Sequence, residues 1–142
     1  KCKNILSQLV ELSRETDIFE PILSIPGIGE NLAARIVAEI GDITRFKGPK
    51  QLIAYAGTDP HVYQSGIRDG LHLSISKKGN KNLRTVLYLA VSCHLRTKTK
   101  NTTVFYEKKK QQGKPHRVAQ VASLNKLLKV IYSVSINKTI FH

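Results

Sequence analysis

Ser24-Ile25-Pro26-Gly27-Ile28-Gly29-Glu30-Asn31-Leu32-Ala33-Ala34-Arg35-Ile36-Val37-Ala38-Glu39-Ile40-Gly41 is the stretch on which the reading of the fold turns. Pro26 stops any helix arriving from its N-terminal side, because its ring removes an N–H donor and clashes with the preceding turn. Gly27 and Gly29 lack a Cβ and so open the positive φ values that a tight turn uses. Ile28 between them can plug the crevice of two helices. Beyond the turn, Leu32, Ala33, Ile36, Val37 and Ile40 recur at helical spacing, and Gly41 is a plausible stop. A helix over residues 30–40, entered through a tight turn, follows from these residues.

Upstream, Asp17 reads as a cap and Pro21 falls in the first turn after it, where a missing N–H does little harm, so a short helix runs to about Ser24. The two helices and the turn resemble a helix-hairpin-helix built on Pro26, Gly27, Ile28 and Gly29. In that motif the free N–H groups of the second helix face a phosphate, which holds a backbone without reading its sequence. An ordinary αα-turn is the alternative, and Glu20, Glu30 and Glu39 make the flanks acidic.

Farther out, Ile5, Leu6, Leu9, Val10 and Leu12 predict a helix over residues 3–15, the end of a longer one entering the domain. A third helix begins at Gly48-Pro49 and ends at Gly57. Residues 58–79 change pattern: Pro60, Gly66, Gly70 and Gly79 punctuate runs that alternate with period two, which predicts a short β-hairpin or an ordered loop. Apolar spacing then predicts helices over 80–96 and 117–134, an exposed one around Val104 to Gln111, and a fraying tail over 135–142. The expected fold class is mainly α: 1–16 as the end of a helical connector, 17–134 as one domain, 135–142 as tail.

The chain has 142 residues, 41% of them hydrophobic, enough for a real core in one domain, and a formal net charge of +13. Residues 1–60 carry seven basic and eight acidic side chains, whereas residues 61–142 carry sixteen basic and two acidic, Asp69 and Glu107. So one-sided a field repels itself unless an anion relieves it, and nucleic-acid phosphates are the usual partner. A merely solvated basic surface is the plainer alternative. No apolar run reaches membrane-spanning length and no basic helix carries a Trp/Phe face, so a membrane partner is not expected. Cys2 and Cys93 have no metal-ligand spacing around them and read as free thiols in a reducing compartment. The absence of methionine, even at position 1, suggests a piece of a longer polypeptide.

The strongest basic cluster is Lys77-Lys78-Gly79-Asn80-Lys81-Asn82-Leu83-Arg84 at a helix start. Lys81 and Arg84, three apart, share a face, and a basic first turn opposes the helix dipole unless an anion is bound. Lys77, Lys78, Gly79, Asn80, Lys81 and Arg84 are therefore candidate phosphate ligands, and Arg68 extends the track. Ser65, before Gly66, reads by itself as a turn residue. No His or Asp stands at a spacing that declares a triad, and the carboxylates form no paired two-metal cluster. Residues alone thus indicate a basic helical nucleic-acid-binding domain with no metal site.

Taken in order, Ser24-Ile25-Pro26-Gly27-Ile28-Gly29, Ala38-Glu39-Ile40-Gly41-Asp42, Phe46, Gln51-Leu52-Ile53-Ala54-Tyr55-Ala56-Gly57, Asp59-Pro60, Ser65-Gly66, Lys78-Gly79-Asn80 and Leu83-Arg84 resemble the C-terminal domain of the insertion-sequence "one-ten" transposases. The likeness covers about residues 22–134, where Phe105-Tyr106, Gly113-Lys114 and Lys126-Leu127-Leu128 also fit. The resemblance implies that Ser65 attacks the DNA backbone, giving a phosphoserine-linked intermediate. It implies a partner domain of RuvC-like fold whose Asp-Glu-Asp-Asp set holds Mg²⁺, so that the isolated chain is expected to be inactive in strand transfer and to bind no cofactor itself. It further implies DNA as partner, a structured guide RNA in some members, a homo-oligomer with residues 1–15 as a dimerisation element, and a cytoplasmic, nucleoid-associated setting in a bacterium or archaeon. Two other classes fit the residues: a non-enzymatic helix-hairpin-helix DNA-binding module of a repair or recombination protein, and an RNA-binding structural protein of the ribosomal kind.

Overall fold

Helix α1 (Cys2–Arg14) is amphipathic, turning Val10 and Ser13 inward while Ile5 and Leu12 stay exposed. The Ser13 hydroxyl returns to the Leu9 carbonyl at 2.7 Å and lies 3.5 Å from the Ala34 carbonyl, which marks where α1 meets the helix after the turn. These contacts belong to a computed structural model that describes residues 2–58 and 79–141. Helices α2 (Phe19–Leu23) and α3 (Glu30–Ile40) follow, then a 3-10 turn at Ile43–Arg45 and α4 (Pro49–Ala56). After residue 79 come α5 (Lys81–Arg96), α6 (Lys100–Gln111) and α7 (His116–Asn137). The described residues are mainly helical and contain no strand.

The core is one cluster that draws on every helix except α6. Phe19, Ile22, Ile36, Ile40, Leu52, Leu83, Leu87, Leu124, Leu128 and Ile131 are almost fully enclosed. α7 is the central element: its buried residues spread from Ala119 to Ser135 over more than one face, and α2, α4, α5 and α6 all pack on it. A helix hydrophobic on several faces is the one others surround. α3 packs against α1, α2 and α5.

Most bounds follow the sequence. Pro49 opens α4 after Gly48, and Gly57 closes it in the left-handed region at φ 79°. Asn80 caps α5 by accepting from the Leu83 N–H at 3.0 Å. Four expectations need correction. Asp17 does not cap α2: the capping position belongs to Ile18, without a side-chain bond, and Asp17 reaches Lys138 at 3.1 Å instead. In the turn only Gly27 takes a positive φ, 86°, while Gly29 is extended and precedes α3. α6 starts at Lys100, one turn before Val104. Finally, α7 continues to Asn137, with Ser135 fully buried, and the following segment returns to the turn, where the Phe141 N–H donates to Ser24 Oγ at 2.8 Å. Packing extends the helix past the end of its apolar repeat.

Candidate functional site

Ser65, Arg68, Lys77 and Lys78, like the expected hairpin or loop, lie outside the described residues. What the structure describes is the place where that segment leaves and returns. Thr58 follows α4, and its hydroxyl donates to Asn125 Oδ1 at 2.6 Å while its carbonyl accepts from Asn125 Nδ2 at 2.8 Å. Both residues are buried, so this paired amide-hydroxyl latch operates away from water, where each bond is hard to replace.

The returning strand of chain is held as firmly. The Asn80 N–H donates to the Tyr55 carbonyl at 2.7 Å, and its Nδ2 donates to Tyr55 Oη at 2.8 Å and to Glu39 Oε2 at 3.1 Å. Arg84 Nη1 donates to the Ala56 carbonyl at 3.0 Å, one of the carbonyls that the end of α4 leaves free. Gly57 and Gly79 touch backbone to backbone: a Cβ on Gly79 would stand 2.5 Å from the Gly57 nitrogen and 2.7 Å from the Ala56 carbonyl carbon. Both glycines are therefore required by packing. Residues 58–80 begin and end at one closed neck, fastened to α3, α4, α5 and α7.

An aromatic and cationic cluster stands beside the neck. Phe46 and Tyr55 meet edge to face at 5.3 Å, and the Arg45 guanidinium lies 4.6 Å and 4.7 Å from their ring centroids. Arg45 also donates to the Ile40 carbonyl at 2.8 Å, finishing α3. Hydrogen bonding from Arg45, and then from Asn80, favours the Tyr55 phenolate and holds its pKa below the ordinary value.

Of the sequence-predicted phosphate ligands that are described, Lys81 is exposed and free to reach an anion, whereas Arg84 is half-buried and commits one donor to the neck. Gly79 and Asn80 sit at the neck itself. The turn residues Pro26, Gly27, Ile28 and Gly29 lie at α3's N-terminus, the end away from Glu39, where Ile28 is buried and Glu30 pairs with Arg14 at 2.6 Å. A Cβ on Gly27 would stand 2.5 Å from His94 Nε2. His94 is buried, accepts or donates through Nδ1 to Thr102 at 2.9 Å, and forms no hydrogen bond through Nε2. Burial holds its pKa below 6.5, with the Gly27 backbone acting weakly the other way.

Sequence reasoning missed Thr58, Asn125, Tyr55 and Glu39. Asn125 did leave a signal, since it occupies an inward position between Leu124 and Leu128, where an uncompensated amide is costly. Among the described residues no three His, Cys, Asp or Glu side chains gather as a metal ion needs, and no helix is long and apolar enough to cross a membrane. Cys93 is a free thiol.

The model of the Transposase IS116/IS110/IS902 family matches residues 20–107 of the chain. The pilin gene-inverting protein of Moraxella lacunata is 31% identical over 128 residues, covering 89% of this chain and 40% of that protein. The transposase for insertion sequence element IS1111A of Coxiella burnetii is 32% identical over 130 residues, covering 89% of this chain and 35% of that protein. The transposase for IS1328 of Yersinia enterocolitica is 27% identical, covering 96% and 43%. The chain thus spans less than half the length of these relatives.

Proposed function

Because the chain belongs to the IS116/IS110/IS902 transposase family, we propose that it is the DNA-binding C-terminal part of an insertion-sequence transposase or related recombinase, and that Ser65 is its nucleophile. The observation that carries this reading is the closed neck at Gly57 and Gly79. A nucleophile gains most when its approach is restricted, and the residues that bound the segment carrying Ser65 are each fixed to the helical body, Thr58 on Asn125 and Gly79 against Gly57.

In the proposed step Ser65 Oγ bonds to a DNA phosphorus as the bond from phosphorus to one deoxyribose oxygen breaks. The serine proton ends on the departing oxygen, leaving a phosphoserine ester and a free DNA hydroxyl. Lys77, Lys78 and Lys81, with Arg68, neutralise the charge that spreads over the phosphate oxygens. The turn at Pro26, Gly27, Ile28 and Gly29 serves as a helix-hairpin-helix clamp on the backbone. No ligand set for Mg²⁺ gathers among the described residues, and in this reading the chain supplies its serine and its cations to a composite active site shared with another domain. The Mg²⁺ carboxylates belong, in this reading, to a RuvC-like domain, and a guide RNA and self-association are further proposed partners of the whole protein.

The test incubates the protein, together with its RuvC-like domain, with element DNA and Mg²⁺, and compares wild type with Ser65→Ala for a covalent adduct on a denaturing gel. Loss of the adduct with DNA binding retained supports the reading. An adduct that persists in the alanine variant refutes the serine chemistry and leaves a DNA clamp.

A further inference from the structure

Between α6, α7 and the turn lies a cavity of about 550 Å³ that plays no part in the neck. Phe105 forms an aromatic wall and Pro26 an apolar edge, while Lys100, Lys108 and Lys126 stand around it and no carboxylate lines it. The volume falls within the range of small-molecule and cofactor sites. α6 contributes no buried residue and leaves Val104 61% exposed, while it packs closely along α7 and so holds its side of the cavity in place.

We propose that this cavity takes one unpaired nucleotide of a DNA strand, its base stacked on Phe105 and its flanking phosphates on Lys100, Lys108 and Lys126. The proposal rests on the DNA-binding reading and deepens it. A base is flat and apolar on its faces and is always accompanied by anionic phosphates, which is the combination that an aromatic wall ringed by cations selects. Lys126 Nζ lies 4.6 Å and Lys109 Nζ 5.4 Å from the Phe105 centroid. An exposed ammonium over a ring is held weakly, and stacking of a base is the stronger contact. The incoming base displaces an ammonium, which then meets the phosphate that arrives with it. The site sits beside Pro26, so a strand clamped at the turn is placed to deliver a nucleotide here.

The test measures binding of the 142-residue chain by fluorescence anisotropy to a labelled DNA duplex with a single unpaired adenine, to the same duplex fully paired, and to the RNA counterparts. Wild type binds the DNA with the unpaired base about tenfold tighter than the paired duplex, as one base–aromatic stack provides. Phe105→Ala abolishes that difference and leaves the paired-duplex affinity unchanged. Phe105→Trp restores it and Phe105→Leu does not, which separates stacking from bulk. Equal affinity for the two DNA duplexes overturns the proposal while leaving DNA binding intact. A preference seen only with RNA overturns it as well, and no binding to any duplex overturns it together with the DNA-binding reading.

Discussion

Gly27 and His94 are the pair on which the turn depends. The glycine holds φ at 86° and leaves the space that the imidazole fills, so an alanine there meets both backbone strain and a buried ring that must shift. Gly27→Ala is expected to lower stability by about 3 kcal/mol, read as a shift in the urea midpoint. The imidazole also writes a pH dependence. Burial disfavours the imidazolium, so the folded pKa lies below the usual 6.5. Between that lowered value and 6.5 the unfolded chain binds more protons, and stability therefore falls as the pH drops through this window and is fully present above it. His94→Gln, which cannot titrate, should flatten this part of the profile in urea melts taken from about pH 7.5 to 5. An unchanged slope would assign the acid sensitivity elsewhere.

At the scale of elements, Asn80 joins the start of α5 to the ends of α3 and α4. Asn80→Ala removes a helix cap together with the donors to Tyr55 and Glu39, and is expected to cost about 2 kcal/mol, whereas Asn80→Ser keeps the cap acceptor and recovers about half. Thermal unfolding of the two variants checks this; equal losses would mean that capping contributes nothing. The helices themselves were legible because glycine, proline and apolar spacing mark them: Gly41, Pro49 and Gly57 stand where the ends are. The neck was not. It depends on Thr58 meeting Asn125, 67 residues away, and on two glycines touching, and no local pattern records which distant residues meet. The tail misled for a similar reason: Ser135 breaks the apolar repeat, yet it is fully buried against the rest of the fold, and the helix runs past it to the exposed Asn137. Family likeness, rather than spacing, singled out Ser65, whose surroundings lie outside the described residues.

For the whole molecule, charge divides along the chain although the core is one cluster. The described residues after 78 carry a single acid, Glu107, and α6 ends in Lys108, Lys109 and Lys110, a placement that its dipole favours without any ligand. Stability therefore does not require those cations to find an anion, and their clustering in one helical turn is instead what a phosphate backbone would use. Neutralising all three to Gln is expected to make the slope of log Kobs against log salt shallower by about 0.9 for each phosphate left without its cation. Lys47→Gln and Lys50→Gln, placed in the half whose acids outnumber its bases, should leave the slope where it was. Anisotropy titrations of a paired DNA duplex over a range of salt concentrations distinguish the two surfaces. If the second pair of substitutions changes the slope and the first three do not, DNA runs along the acidic half, and the basic helices serve some other anion.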